Sequence, residues 1–147
     1  MYERSESSME FIKKTLDLNA KVGTFVVKMP PKYKMLYGDD MAKTGLAALR
    51  MLQTGNGIFV SKDTTPAVFE ERLKLFETAR GYIYNLPTTL RLCNKIRLDI
   101  EKPDAQTKEK WIWQAKELCE LCNECITLIT GVIRTDRRRY KEYVGKN

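Results

Sequence analysis

The chain has 147 residues, of which 43% are hydrophobic and 31% charged, and it carries a formal net charge of +7 at pH 7. This length suits one domain that buries a core without disulfides or metals, and the composition excludes a disordered polar chain. Its apolar runs are far shorter than the roughly 20 residues that a membrane-spanning helix needs. The excess positive charge attracts polyanions such as nucleic acid, although a basic surface can also serve solubility alone.

The first two helices are predicted from apolar and small residues at helical spacing. They are Phe11, Leu18, Val22, Phe25 and Met29 in the first helix, and Met41, Gly45, Ala48, Leu49 and Leu52 in the second. The first helix should end before Pro30 and Pro31, which cannot continue it. The β-branched run at 24–27 leaves a strand conceivable, but no partner strand is evident. The small residues would let helices approach closely, and residues 55–64 are typical of a surface loop.

The third helix is predicted to be long, with one apolar stripe that advances by threes and fours. The stripe consists of Phe69, Leu73, Phe76, Ala79, Ile83, Leu86, Leu90, Cys93, Ile96 and Ile100. Thr65 is a candidate N-cap, and Pro66 suits the first helical position, where no intrahelical N–H is needed. Pro87 lies inside the stripe and should kink the helix there.

The fourth helix is predicted from two parallel apolar rows. One row is Trp111, Ala115, Leu118, Cys122, Cys125, Ile129 and Val132, and the row beside it is Ile112, Cys119, Ile126 and Ile133. Such a wide apolar surface is typical of a helix that faces a bundle. Residues 101–106, which include Pro103, indicate a short loop before this helix, and Thr107 is the candidate cap.

Together these helices predict an all-α fold, an up-and-down four-helix bundle formed by residues 1–135. After Arg134 the sequence loses its apolar periodicity and becomes basic. We therefore expect residues 136–147 to form a basic C-terminal tail that is frayed or disordered until it meets a partner.

The usual groups of a catalytic site are missing. The sequence contains no histidine, which removes the common neutral-pH general base and the histidine-containing nucleophile pairs and metal motifs. Acidic pairs at 39–40 and 70–71 lie near predicted helix starts, where negative charge complements the helix dipole; acid–base work is the less favoured alternative. Gly55 and Gly57 lack the spacing and the lysine of a phosphate loop. We therefore expect a protein that is not an enzyme and uses no cofactor.

Four cysteines, Cys93, Cys119, Cys122 and Cys125, superficially suggest a zinc or iron–sulfur site. Helical geometry argues against this, because three-residue steps place Cys119 and Cys125 about 120° apart around the helix axis. Free cysteine also fills apolar core positions, so we expect no metal. The N-terminus shows no secretory pattern, and we expect a cytoplasmic protein with reduced thiols and no membrane partner.

Basic residues and a tyrosine supply the candidate nucleic-acid site. One set lies on a single face of the third helix, away from its apolar stripe: Arg80, Tyr84, Arg91 and Lys95. A second, denser set follows near the C-terminus: Arg134, Arg137, Arg138, Arg139 and Lys141. Such residues can follow a phosphate backbone, and the alternative for both sets is a merely solvated basic face.

Three segments in order carry a resemblance to a known family: VVKMPPKYKMLYGDD, MAKTGLAALRMLQTGNGIF and FEERLKLFETARGYIYNLPTTLRLCNKI, followed by the last long helix. Over residues 8–135 the chain resembles the accessory variability determinant proteins of diversity-generating retroelements. It also resembles the wider four-helix bundle family that includes proteins encoded in intervening sequences of ribosomal RNA genes. The features that carry the resemblance are a Pro-Lys-Tyr turn and a pattern of helices.

The resemblance implies a barrel-like homopentamer with a positive surface that associates with an error-prone reverse transcriptase and its template RNA. Its implied role is to support mutagenic complementary-DNA synthesis, as in mutagenic retrohoming, without catalytic residues of its own. The family's basic surface corresponds only by general position to the two basic sets above. The alternative is a homo-oligomeric bundle of the intervening-sequence type with no polymerase partner.

Overall fold

The computed structural model describes residues 6–144, and it describes side chains for residues 9–143. Four long helices form the molecule: α1 (Glu6–Lys28), α2 (Asp39–Gly57), α3 (Pro66–Glu101) and α4 (Ala105–Val144). A helical turn, Pro31–Tyr33, and a π-helical turn, Lys34–Gly38, connect α1 to α2. No β-strand occurs in the described range, and the strand considered at 24–27 is part of α1.

Each helix runs antiparallel to its neighbour in chain order, and α4 returns beside α1. Ion pairs Lys14–Glu124 (3.0 Å) and Lys21–Glu117 (3.2 Å) show this for α1 and α4, since rising numbers on one helix meet falling numbers on the other. The predicted all-α, up-and-down four-helix bundle is confirmed.

The core lies on the axis of the bundle and takes one stripe from every helix. The central buried side chains are Phe11, Leu18, Val22, Met41, Ala48, Leu52, Phe76, Ala79, Ile83, Leu86, Leu118, Cys122, Cys125 and Ile129. All of them were predicted from helical spacing. Burial of apolar area at this scale is the main favourable term in folding.

Two glycines on α2 let the neighbouring helices approach closely. A Cβ at Gly45 would lie 2.9 Å from Oδ1 of Asn19 on α1, and a Cβ at Gly55 would lie 2.7 Å from the ring of Phe76 on α3. Such distances are shorter than real Cβ contacts, so glycine is required unless a neighbour moves. The predicted close approach at the small residues of α2 is confirmed.

The start of α4 differs from the prediction. The cap is Asp104, whose Oδ1 accepts a hydrogen bond of 2.7 Å from the backbone N–H of Thr107, and Thr107 itself lies inside the helix. The Thr107 donors hold the pKa of Asp104 below its usual value. Thr107 was therefore the wrong choice: the helix begins at Ala105, directly after the residue whose carboxylate satisfies a free N–H.

The start of α3 matches the prediction in its backbone. Thr65 is extended (φ −68°, ψ 152°) and Pro66 is the first helical residue, although the Thr65 side chain makes no capping hydrogen bond. The helix continues through Pro87 to Glu101 and ends at Lys102, which is left-handed with φ 43°. The kink expected at Pro87 stays a prediction.

The basic segment differs from the expected tail. Residues 136–144 continue α4, and the ring of Tyr140 packs edge-on against Phe69 at a centroid distance of 5.2 Å. The bundle therefore extends past residue 135, because the start of α3 offers α4 a partner there. Residues 145–147 of the predicted tail, and residues 1–5 of the predicted bundle domain, lie outside the described residues.

The hairpin end of the α3–α4 pair, where α3 connects to α4, is more exposed than the apolar stripes predicted. Ile100 is 60% exposed and Ile112 57% exposed, although both were expected to face the bundle. The buried stripe of α3 ends at Cys93. Throughout the described part of the chain, no helix combines the length and the hydropathy needed to cross a membrane.

Candidate nucleic-acid interface

The outer face of the α3–α4 pair brings the first predicted basic set together with most of the second. Arg80 on α3 donates a hydrogen bond of 3.2 Å to Oγ1 of Thr130 on α4, and Arg91 reaches Sγ of Cys119 at 3.6 Å. These contacts place the basic edge of α3 directly against one edge of α4. We call this continuous surface the α3–α4 seam.

On α3, the seam contains all four predicted residues. Their numbers advance by four, seven and four, which keeps them on one edge of a helix: Arg80, Tyr84, Arg91 and Lys95. Tyr84 is 69% exposed, and Arg91 and Lys95 are exposed as well, whereas Arg80 is half-buried. Three of the four can therefore meet a ligand without rearrangement.

On α4, the second basic set is divided between faces. Arg134 lies one turn after Thr130, and Arg137 forms an ion pair with Glu77 of α3, so both belong to the seam. Lys141 lies one turn further along the same edge, and Arg138 is exposed beside it. These four residues extend the seam toward the C-terminus.

Arg139 does not belong to the seam. Its Nη2 donates a hydrogen bond of 3.0 Å to the backbone oxygen of Val60, and its Nη1 lies 3.9 Å from Oδ1 of the buried Asp136. Arg139 thus connects the loop between α2 and α3 to α4 through Val60. Arg137, Arg138 and Arg139 are successive residues, which span about 200° around a helix, so they cannot all face one ligand.

An open groove of about 430 Å³ at the hairpin end of the seam was not foreseen. Arg91, Lys95 and Lys116 supply cations around an apolar floor that includes Trp111 and Ile112. The spacing of Lys116 could have revealed it, because Lys116 lies four residues after Ile112 and three before Cys119, in the same row of α4.

The charges of the seam are mostly positive. Eight cations line it: Arg80, Arg91, Lys95, Lys116, Arg134, Arg137, Arg138 and Lys141. Two carboxylates lie among them, Glu120 at the groove and Glu77, which Arg137 neutralises. From Arg80 to Lys95 the seam is about 22 Å long at 1.5 Å per residue. Such a surface can bind several consecutive phosphates, and the exposed ring of Tyr84 offers a base a face for stacking.

The cysteines face different directions. Cys93, Cys122 and Cys125 are buried, whereas Cys119 is half-exposed at the seam. Burial raises the pKa of Cys122 to about 12 and that of Cys125 to about 11, and it raises the pKa of Cys93. The buried thiols therefore stay protonated at neutral pH and pack as apolar groups. Within residues 6–144, no group of three or more potential ligands is arranged for a metal.

The two acidic pairs lie on the surface of α2 and α3. Asp39 and Asp40 are exposed in the first turn of α2, where their charge complements the helix dipole. Glu70 and Glu71 are exposed on α3, one turn after its start. Asp39 and Asp40 therefore fit the dipole role that was favoured for both pairs, whereas Glu70 and Glu71 lie beyond the first turn, where the dipole has little effect.

Comparison with known proteins yields no relative: no family model matches the sequence, and neither a curated protein nor a solved structure matches it. The resemblance to retroelement accessory proteins and to intervening-sequence proteins therefore stays a prediction. What the molecule does has to be argued from its own surfaces.

Proposed function

We propose that this protein is a non-catalytic nucleic-acid-binding bundle whose binding surface is the α3–α4 seam. The observation that carries the proposal is the juxtaposition of cations from two helices along one exposed edge, with Tyr84 among them. Cations along such a row neutralise phosphates and release counterions, which supplies affinity without sequence specificity. RNA is the nucleic acid that we propose as ligand.

A non-catalytic role is supported by the side chains that the chain has. The sequence contains no histidine, and the buried thiols have a pKa far above neutral, so they are poor nucleophiles. We also propose a cytoplasmic location, because free thiols fit a reducing compartment.

The proposed biological role is that of an accessory protein of a diversity-generating retroelement, which holds the reverse transcriptase and its template RNA during mutagenic complementary-DNA synthesis. The sequence resemblance supports this role, and the seam supplies a surface for the RNA. Co-purification from the native host at moderate salt tests it. Recovery of a reverse transcriptase with one structured RNA is the expected result, and recovery of neither would contradict the role.

Crosslinking tests the position of the binding surface. Ultraviolet irradiation of the protein with a radiolabelled RNA, followed by mass spectrometry, should give crosslinked peptides that contain Tyr84 or residues 112–134. Peptides from the outer faces of α1 and α2 serve as the internal control, since exposed cations such as Lys13 and Arg50 lie there. Crosslinks confined to those peptides would contradict the seam as the site.

A second candidate function is self-assembly without a polymerase partner, as in the intervening-sequence proteins. A stripe of uncharged residues on the outer face of α1 favours it: Leu16, Ala20, Gly23 and Val27 are spaced by four, three and four, and Leu16 and Val27 are exposed. We propose that a second copy of the chain covers this stripe, in a homo-oligomer such as a pentamer. Sedimentation velocity should show an oligomer that Leu16→Glu with Val27→Glu dissociates; a wild-type monomer at all concentrations would contradict it.

A further inference from the structure

A second cavity, separate from the seam, lies where the end of α1 meets the hairpin end of the α3–α4 pair. Its volume is about 170 Å³. Three cations line it, one from each helix: Lys28 of α1, Arg97 of α3 and Lys110 of α4. The amides of Asn94 and Gln114 complete its polar lining, and no carboxylate of the described chain is among the lining residues.

Arg97 is held in place from both sides. Its guanidinium lies between two aromatic rings, 5.0 Å from the ring centroid of Tyr33 and 4.1 Å from that of Trp111. Its Nε donates to Oε2 of Glu101 at 3.3 Å, and its side chain is only 16% exposed. Stacking and the Nε bond fix the plane of the guanidinium, so little side-chain entropy remains to be lost when it binds a ligand.

The terminal nitrogens of Arg97 remain for a ligand. A guanidinium has five N–H donors, and the hydrogen bond to Glu101 uses the one on Nε. No acceptor in the described part of the chain is bonded to the other four. The parallel N–H groups on the terminal nitrogens of a planar guanidinium can bond two oxygens of one oxyanion. The two nearby lysines add positive charge, and their ammonium groups can donate in several directions.

We propose that this cavity binds a phosphate group. Three cations and one acid, Glu101, leave a surplus of positive charge, and the lining lacks the carboxylates that a cationic ligand would need. A volume of about 170 Å³ is well above the ~10–15 Å³ that a single water needs on the same measure, so a tetrahedral oxyanion has room in the cavity. The phosphate is either free inorganic phosphate or a monoester at the end of a nucleic acid.

The cations of this site differ from those of the seam, although Asn94 and Trp111 line both cavities. The groove on the seam side is lined by Arg91, Lys95 and Lys116, none of which lines the phosphate cavity. This inference therefore goes beyond the proposed function, and either can fail without the other.

Calorimetric titration with sodium phosphate at constant ionic strength tests the site. Wild-type protein should bind one phosphate per chain. Lys28→Gln with Lys110→Gln should weaken binding about tenfold or more, since two charge-assisted contacts are lost. Both lysines are exposed, so the fold should survive, and circular dichroism checks this. The matched control, Lys13→Gln with Lys43→Gln, removes two exposed cations elsewhere on the bundle and should leave the affinity unchanged.

A third variant tests the paired N–H donors of Arg97. Arg97→Lys keeps the charge but removes the paired donors, and it should weaken phosphate binding about tenfold without removing the surplus charge. Absence of saturable phosphate binding in the wild type at millimolar phosphate would overturn the proposal. Equal weakening in the Lys28–Lys110 variant and in the Lys13–Lys43 control would also overturn the proposal, because the loss of affinity would then follow from the lower net charge alone.

Short oligonucleotides with and without a 5′-phosphate identify the source. If the terminal phosphate increases affinity in the wild type but not in the Lys28–Lys110 variant, the ligand is a nucleic-acid end. If it makes no difference while inorganic phosphate binds, the ligand is free phosphate. Phosphate binding by a protein that binds no RNA would uphold this cavity and contradict the seam as a nucleic-acid site.

Discussion

Arg72 of α3 and Asp136 of α4 form a buried ion pair, with Nε of Arg72 2.6 Å from Oδ2 of Asp136. The same guanidinium donates from Nη1 to the backbone oxygens of Gly55 (3.0 Å) and Ile58 (2.9 Å) at the end of α2. One side chain therefore connects α2, α3 and α4. It also satisfies the backbone oxygen of Ile58, and it adds a second donor to the oxygen of Gly55, which already accepts from the backbone N–H of Ile58.

Replacing Arg72 by methionine should destabilise the fold by about 3–5 kcal/mol, because it leaves the buried carboxylate of Asp136 with only the longer contact of 3.9 Å to Arg139. Urea unfolding followed by circular dichroism measures this. The matched control is Arg137→Met, which breaks the more exposed pair with Glu77 on the same two helices and should change the free energy of unfolding by no more than ~1 kcal/mol. Equal losses in the two variants would contradict a special role for the buried pair.

Gly55 is predicted to resist substitution even by alanine. A Cβ there would lie 2.7 Å from Cε1 of the buried Phe76, and overpacking of this kind costs roughly 1–3 kcal/mol. Gly131→Ala is the control: it also lies inside a helix, but nothing lies within 4 Å of its added Cβ. That variant should be more stable by up to about 1 kcal/mol, from helix propensity alone. Thermal unfolding of the two variants should therefore shift in opposite directions, and a shared direction would contradict the tight α2–α3 contact.

Helical spacing predicted the bundle well because most of its core obeys a simple rule. Phe76, Ile83, Leu118 and Ile129 are buried, as the periodicity of their apolar stripes predicted. The basic edge of α3 was predictable for the same reason, since three- and four-residue spacing decides which residues share a helix face.

The remaining features depend on neighbours that are distant in sequence. Arg72 occupies a buried position because Asp136, 64 residues later, neutralises its charge. No local sequence pattern predicts that pair. For the same reason the sequence predicted a polar tail at residues 136–144, although this segment is helical and packs on α3. The sandwich of Arg97 between Tyr33 and Trp111 joins three separate segments and could not be read from spacing.

Stability should fall at alkaline pH because of Cys122. Burial raises the pKa of this thiol from 9.0 to about 12, so above pH 9 the unfolded chain loses a proton that the folded chain keeps. The unfolded state then binds fewer protons, and the free energy of unfolding decreases as pH rises from about 9 toward 12, by at most about 1.4 kcal/mol per pH unit for this group.

Urea unfolding at a series of pH values tests this. Cys122→Ala should be less stable than the wild type at pH 7 but should lose less stability as the pH rises. The control Val22→Ala removes a buried group that does not titrate, and it should keep the wild-type slope. Parallel slopes for the wild type and Cys122→Ala would show that this thiol does not titrate as its burial requires.

The salt dependence of RNA binding tests the central claim, that the α3–α4 seam binds nucleic acid. The variant Arg91→Gln, Lys95→Gln, Arg134→Gln removes three seam cations, and the control Lys13→Gln, Lys43→Gln, Arg50→Gln removes the same charge from the outer faces of α1 and α2. Fluorescence anisotropy with a labelled RNA across a range of salt concentrations gives the slope of log affinity against log salt. The seam variant should bind more weakly and lose about two units of that slope, at ~0.7–0.9 per phosphate contact, while the control keeps the wild-type slope. Equal losses in both variants would mean that net charge alone attracts RNA, and unchanged binding by the seam variant would contradict the site.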